Sequence, residues 1–329
     1  MAIHVREWLA ETRETMAKDA LQGLQLGAYY LFVGLWLTVS TRVRFGTPIY
    51  ERDWDLLVVL DACRTDALSA VADEYDFLED RQAVWSVGST TGEWTSHTFD
   101  RSYADEIGRT AYVTANPHSE EVLRRRVTPP QYVSTPATWP AWDPVEPDAF
   151  QVLEEVWRYA LNDRLNVVPP RPVTDRAVSV ARDIDADRTI VHYMQPHAPY
   201  VADAIDVESP LPEASATPFD RLLRGEVDRA SVWAEYLDNL RLVLDEVAIL
   251  LENVDAEKAV ITADHGEAFG EWGFYEHPIG CPHPVVRRVP WVETTGVDRG
   301  TRMPEPPEPV VTDEPSADVA AQLRDLGYR

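Results

Sequence analysis

The chain has 329 residues, with 30 Lys and Arg against 56 Asp and Glu, a formal net charge of −26. So acidic a surface repels phosphate backbones, and nucleic acid is not expected as a partner. Hydrophobic residues at 45%, including 11 Trp, supply ample apolar surface and exclude global disorder. Only two of the cationic residues are lysines, Lys18 and Lys258. Arg in place of Lys with an acidic surplus points to a halophilic chain, because molar salt shortens the screening length to about 3 Å. Two cysteines, Cys63 and Cys281, provide neither a disulfide framework nor a cysteine zinc site, and are expected as buried thiols.

Residues 1–19 mix Arg, Glu and Lys in a helical pattern and lack the form of a cleavable secretory signal. The expectation is therefore a cytoplasmic chain, or one associated with a membrane. No charge falls between Ala20 and Thr41, and residues 26–39 are nearly continuously apolar. Fourteen helical residues rise only about 21 Å, short of a hydrocarbon core of roughly 30 Å. Three readings stay open: an interfacial anchor, a true span, or a helix packed on the main domain. Arg42 and Arg44 after the run favour contact with headgroups.

The main domain, expected over 51–300, opens with DWDLLVVLD (53–61), a buried strand ending in Asp61. Helical patterns near 62–74 and 117–126 flank a strand at 110–116. Residues 128–150 are a proline-rich surface excursion. A helix over 172–186, a strand over 189–195, an acidic loop over 198–217, a helix over 224–252 and a strand over 258–264 follow. This alternation predicts an α/β fold with a mainly parallel sheet covered on both faces. Residues 301–329 read as a Pro/Glu-rich tail and a short final helix, and residues 1–50 as a separate helical segment.

In such sheets the ligand crevice lies beyond the carboxyl ends of the strands. Asp61 and Asp264 stand there, and His265 follows directly. Two carboxylates and an imidazole from separate strands suit a divalent cation. A helix-capping role would be the bland explanation for either Asp alone.

DLLVVLDACRTDAL (55–68) resembles the first metal-binding strand of the alkaline phosphatase and sulfatase superfamily, and ITADHGEAFGEWGFYEHP (261–278) resembles its second signature. VHYMQPHAPY (191–200), RVPWV (288–292) and LRDLGY (323–328) are similar to further motifs of that superfamily, in the family's order. The resemblance implies an alkaline phosphatase-like fold, cation ligation by Asp61, Asp264 and His265, and roles for His197 and His277 at the transferred group or in proton transfer. His283 competes with His277, while His192 reads as core. Arg64 and Arg287 are candidates to hold phosphoryl oxygens. Glu267 and Glu276 would orient His265 and His277.

The Cys-x-Pro-x-Arg motif of formylglycine sulfatases is missing, since Cys63 lacks the following Pro. In VGSTTGEWTSHTFD (87–100), Thr95 looks like the Thr-Ser nucleophile of lipoteichoic acid synthases and phosphoethanolamine transferases, with Thr91, Thr90 and Ser89 as competing hydroxyls. A cation bound to the Thr95 oxygen would supply alkoxide near neutrality. No acid lies between Ile190 and Ala202, and Tyr193 takes the place of a second-site carboxylate. One divalent cation is expected: Mn²⁺, Ca²⁺ or Mg²⁺, with Zn²⁺ also compatible with His265.

The functional expectation is a metal-dependent phosphoesterase or phosphotransferase acting on a small-molecule, lipid-linked or glycan ester. Two competing readings are a sulfatase-like ester hydrolase and a sulfatase-fold binding protein without turnover. Peripheral membrane contact would run through residues 20–41.

Overall fold

A computed structural model describes residues 5–304 apart from 44, 131, 132, 134 and 208–210. The final helix and most of the tail expected over 301–329, together with Arg44, lie outside the described residues.

The apolar run after Asp55 forms β1 (Leu56–Leu60), every residue of which is buried. The remaining strands of the main sheet are β2 (Arg81–Trp85), β3 (Thr110–Thr114), β4 (Val152–Glu155), β5 (Arg188–Tyr193), β6 (Ala256–Thr262) and β9 (Arg288–Gly296). Their order is β2-β9-β6-β1-β5-β3-β4. Pairings among β4, β3, β5, β1 and β6 are all parallel, and β9 runs antiparallel to both β6 and β2. The expected α/β architecture with a mainly parallel sheet is therefore present. Sequence reading misses β2, β4 and β9. Exposed and half-buried residues in β2 and β4, and Pro290 within β9, give these strands no continuous apolar run.

Side chains alternate across the sheet. Leu56, Val58, Leu60, Val191 and Tyr193 face a core built with the helices Pro170–Asp183 and Arg229–Leu251. Leu57, Val59 and Ile190 face the other way, against Trp94, Phe99 and Trp291. Trp94 belongs to α4 (Thr91–Thr98). The helix expected near 62–74 divides into α3 (Thr65–Val71) and a 3₁₀ turn, and that near 117–126 is a π-helical turn at Glu120–Arg124. A two-stranded hairpin, β7 (Ala268–Phe269) with β8 (Tyr275–Glu276), stands apart from the sheet.

At the N-terminus α1 (Val5–Lys18) and α2 (Ala20–Ser40) pack on each other, with Asp19 capping α2 through its carboxylate. By length and composition α2 could cross a membrane. Here it lies on the main domain, and the proline-rich excursion provides its bed. A Cβ at Gly34 would collide with the Ala137 carbonyl, so only glycine permits this approach. Ala141 N and Trp139 N donate to the hydroxyls of Thr41 and Thr38.

Candidate functional site

Beyond the carboxyl ends of β1 and β6 the chain turns sharply and places two carboxylates together. Asp61 follows β1, and Ala62 then adopts a left-handed φ of 61°. That sparsely populated conformation turns the Ala62 N–H toward Asp264 Oδ1, at 3.1 Å. His265 N donates to the same oxygen at 2.9 Å. Asp61 is held from the far side by Asn116, whose Nδ2 donates to Oδ2 at 2.7 Å. Both aspartates are fully buried.

Two imidazoles close the group. His265 Nδ1 donates to the Gly266 carbonyl at 2.9 Å, so its Nε2 presents a lone pair inward. That Nε2 lies 3.3 Å from Asp264 Oδ2 and 3.6 Å from Asp61 Oδ1. His192 shares a 2.9 Å hydrogen bond with Tyr112 through Nδ1, and its Nε2 stands 3.9 Å from Asp264 Oδ2. Sequence reading places His192 in the core. It is buried, but on the face that carries the site, because it pairs in register with Val59, two residues before Asp61. Its ligand atom and those of Asp61 and Asp264 lie within 4.8 Å of one another.

The hydroxyl that reaches this group is that of Thr91, the first residue of α4. Its Oγ1 donates to Asp264 Oδ2 at 2.7 Å and lies 3.3 Å from His265 Nε2. Thr95, expected to hold the cation and attack, is not brought there. It sits one turn further along α4, fully buried, and its hydroxyl makes no hydrogen bond among the described residues. The physical reason is helical rise, since a turn of about 5.4 Å carries position 95 away from the strand ends. The neighbouring hydroxyls of Thr90 and Ser89 are engaged elsewhere: Thr90 caps α4 through Glu93 N, and Ser89 donates to Glu93 Oε2.

A second group adjoins the first. Ligand atoms of His197, Glu267 and His277 lie within 4.8 Å of one another. His277 Nδ1 bonds Glu267 Oε1 at 3.2 Å, and the His277 ring stacks on that of His265 at 4.4 Å. Burial pushes the Glu267 carboxyl up to about 7 and the His197 and His277 imidazoles down to about 4. Sequence reading leaves a second cation site without a carboxylate, because no acid lies between Ile190 and Ala202; the fold supplies one from elsewhere in the chain. Tyr193 faces the opposite side and bonds Thr174, while Glu267 arrives from the loop after β6.

Other expected residues have structural work. Arg64 is buried in a fork to Asp66 and also bonds Glu271 and the Glu267 carbonyl, which engages four of its five N–H donors. Arg287 is buried beside Glu93 at 3.5 Å and bonds the Cys281 carbonyl. His283 accepts from Val285 N and meets Trp272 edge-on, outside both groups. Glu267, expected beside His265, is the carboxylate that bonds His277, and Glu276 pairs with Ala268 in the hairpin. Sequence reasoning misses His118. It is buried and donates through Nδ1 to Asn116 Oδ1, behind Asp61. The sequence cue is ANPHS directly after the β3 run.

The donor set fits a divalent cation. Two buried carboxylates with imidazoles are costly in a dry interior without compensating positive charge. Asp264 has the imidazoles of His192 and His265 and the carboxylate of Asp61 as ionisable neighbours, and burial disfavours the protonated form of both imidazoles.

No family model and no curated protein matches the chain. Solved structures similar to it include a candidate sulfatase from Bacteroides thetaiotaomicron, at 12% identity and a TM-score of 0.44, matching 73% of this chain and 64% of that one. The soluble domain of lipooligosaccharide phosphoethanolamine transferase A from Neisseria meningitidis matches at 14% identity and a TM-score of 0.43, over 72% of this chain and 75% of that one. The C-terminal periplasmic domain of the phosphoethanolamine transferase EptC from Campylobacter jejuni matches at 14% and 0.43, over 73% and 78%. The chain thus spans a little under two thirds of the length of the first of these.

Proposed function

We propose that this chain is a metal-dependent enzyme that hydrolyses or transfers a phosphate ester, with Thr91 as its nucleophile. The observation that carries this reading is the Thr91 hydroxyl, 2.7 Å from Asp264 and 3.3 Å from His265, at the meeting point of two strand ends. A divalent cation held by Asp61, Asp264, His265 and His192 would acidify a neighbouring hydroxyl and offset charge on the phosphoryl oxygens.

The chain's own groups do the rest. Thr91 gives up its proton along the existing hydrogen bond to Asp264 as its oxygen attacks phosphorus. A phosphothreonine forms and the ester bond to the leaving oxygen breaks. That oxygen takes a proton from Glu267, whose carboxyl near 7 suits acid–base work at neutral pH and which His277 positions through its hydrogen bond. Water or an acceptor alcohol then attacks phosphorus, Glu267 takes back a proton from it, the bond from phosphorus to the Thr91 oxygen breaks, and Asp264 returns its proton to that oxygen.

Formylglycine chemistry has no residue here. Cys63 lies fully buried in the apolar core, where burial pushes its thiol pKa up.

The test is hydrolysis of p-nitrophenyl phosphate, bis-p-nitrophenyl phosphate and p-nitrophenyl sulfate in molar KCl, with Mn²⁺, Ca²⁺, Mg²⁺ or Zn²⁺ supplied in turn. Metal-dependent cleavage of a phosphate ester that Thr91→Ala abolishes is the expected result. Cleavage of sulfate alone would transfer the site to sulfate esters. A chain that binds cation but cleaves none of the three, and forms no phosphothreonine with a lipid-linked donor, would be a binding protein.

A further inference from the structure

The outward face of α2 is largely apolar, with Gln22 and Gln25 also exposed on its first turns. Leu21, Leu24, Leu31, Leu35 and Val39 recur along it every three to seven residues, with Leu21 exposed at 66% and Leu35 at 55%. The inward face is already committed: Val33, Gly34 and Leu37 are buried, and Tyr29 Oη donates to the Ile279 carbonyl at 2.6 Å. A chain of rings continues the stripe past the end of the helix. Tyr29 meets Phe32 at 6.2 Å, Phe32 meets Trp36 at 6.2 Å, Trp36 meets Phe45 at 5.2 Å and Phe45 meets Trp85 at 5.9 Å. Phe32, Phe45 and Trp85 are each partly open to solvent, as is Trp139 on the opposite flank beside Thr38.

We propose that this face lies in the plane of a lipid bilayer with uncharged or zwitterionic headgroups, its leucines among the upper acyl chains and its rings at headgroup depth. Charge selects the occupant. No charged residue falls between Ala20 and Thr41 in a chain of net charge −26, so the stripe is neutral on a strongly anionic body. Where salt is low enough for the charge to act over distance, an anionic lipid surface would repel that body, and a second copy would bring −26 against −26 with no charge on the stripe to pair. Half-exposed Trp and Phe at the border of an apolar face match the preference of such rings for the membrane–water boundary. A span is disfavoured by α1, which packs along α2 carrying Arg6, Glu7, Glu11, Arg13, Glu14 and Lys18. The docking does not depend on the reaction proposed above.

The experiment is flotation of the full chain with phosphatidylcholine vesicles through a density gradient in molar KCl, beside the variant Leu24→Gln/Leu35→Gln/Val39→Gln. The wild type is expected to float with the vesicles and shift its tryptophan emission to shorter wavelength. The variant is expected to stay down several-fold more, with unchanged circular dichroism and melting. If the triple variant is unstable, Leu35→Gln alone, at a solvent-facing position, is expected to lower the floated fraction measurably. Wild-type chain that stays at the bottom, or variants that float as well as wild type, would overturn the proposal. So would a lipid-free dimer that the triple variant disperses, which assigns the face to a second copy. Protection of α1 from protease added outside sealed vesicles would assign a span instead and equally overturn it.

Discussion

Thr91 Oγ1 and Asp264 Oδ2 meet at 2.7 Å although 173 positions separate them in the chain. The contact joins the first turn of α4 to the end of β6, and it singles out one hydroxyl from a stretch that offers several. Thr91→Ala is expected to lower kcat/KM on a phosphate ester by about 10³-fold or more, as loss of a nucleophile does. Thr95→Val is expected to keep activity within about tenfold. Because it removes a buried hydroxyl that makes no hydrogen bond among the described residues, it should leave stability unchanged or slightly raised. Steady-state kinetics and thermal melting of the two variants decide between the threonines. Activity lost in Thr95→Val and kept in Thr91→Ala would reverse the assignment.

Asn116 holds Asp61 through a 2.7 Å hydrogen bond and itself accepts from His118. Asn116→Ala is expected to weaken cation affinity by about 10–100-fold, the usual range for loss of a group that orients a ligand. Titration calorimetry on metal-stripped chain measures this directly. Asp264→Asn, which removes a ligand, should abolish binding under the same conditions.

Acid should destabilise the metal-free chain. Burial holds His192, His197 and His277 at about 4 and His118 at about 3, against an ordinary value of 6.5. Between pH 6.5 and 4 the unfolded chain therefore binds protons that the folded chain refuses, so stability present above 6.5 is lost as pH falls. Glu267, pushed up to about 7, acts in the opposite sense by keeping a proton in the fold between about 7 and 4.5. Four imidazoles outweigh one carboxyl. Melting of EDTA-treated protein is expected to fall by on the order of 10 °C from pH 7.5 to 5, and added cation should raise it more at pH 7.5 than at pH 5, where protons compete for the imidazoles.

Glu93 and Arg287 form a buried pair at 3.5 Å between the start of α4 and the segment after His277. Burial alone would raise the Glu93 carboxyl, yet Arg287 and two hydrogen bonds from Ser89 hold it below its ordinary value. Arg287→Met strands a buried carboxylate and is expected to cost about 3–5 kcal/mol, whereas Glu93→Leu with Arg287→Met should recover much of that loss. Denaturant unfolding of both variants provides the measurement. Equal destabilisation by the single and double variants would show that the pair is not coupled.

Much of this site is legible in the sequence. LLVVL before Asp61 and AVITA before Asp264 mark buried strands, and parallel strands deliver their final residues to one crevice. His265, His197 and His277 come with them. His192 escapes for a specific reason. Alternation along β5 correctly sets it opposite Tyr193, but which face carries the site depends on where α4 packs. Glu267 goes to His265 by proximity in sequence, whereas the turn after β6 carries its carboxylate to His277.

Local sequence determined the apolar runs, their ends and the residue types gathered there, because burial pattern and backbone preference act over a few neighbours. It also determined that residues 20–41 would be helical and uncharged. Only tertiary structure decided that Thr91 rather than Thr95 reaches Asp264, that Glu267 completes the second group, and that α2 rests on the proline-rich excursion. Each of those outcomes depends on the phase of one helix or the register of one strand against an element far away in the chain. A shift of one residue in either turns a side chain to another face, and nothing local to that residue records the partner it will meet.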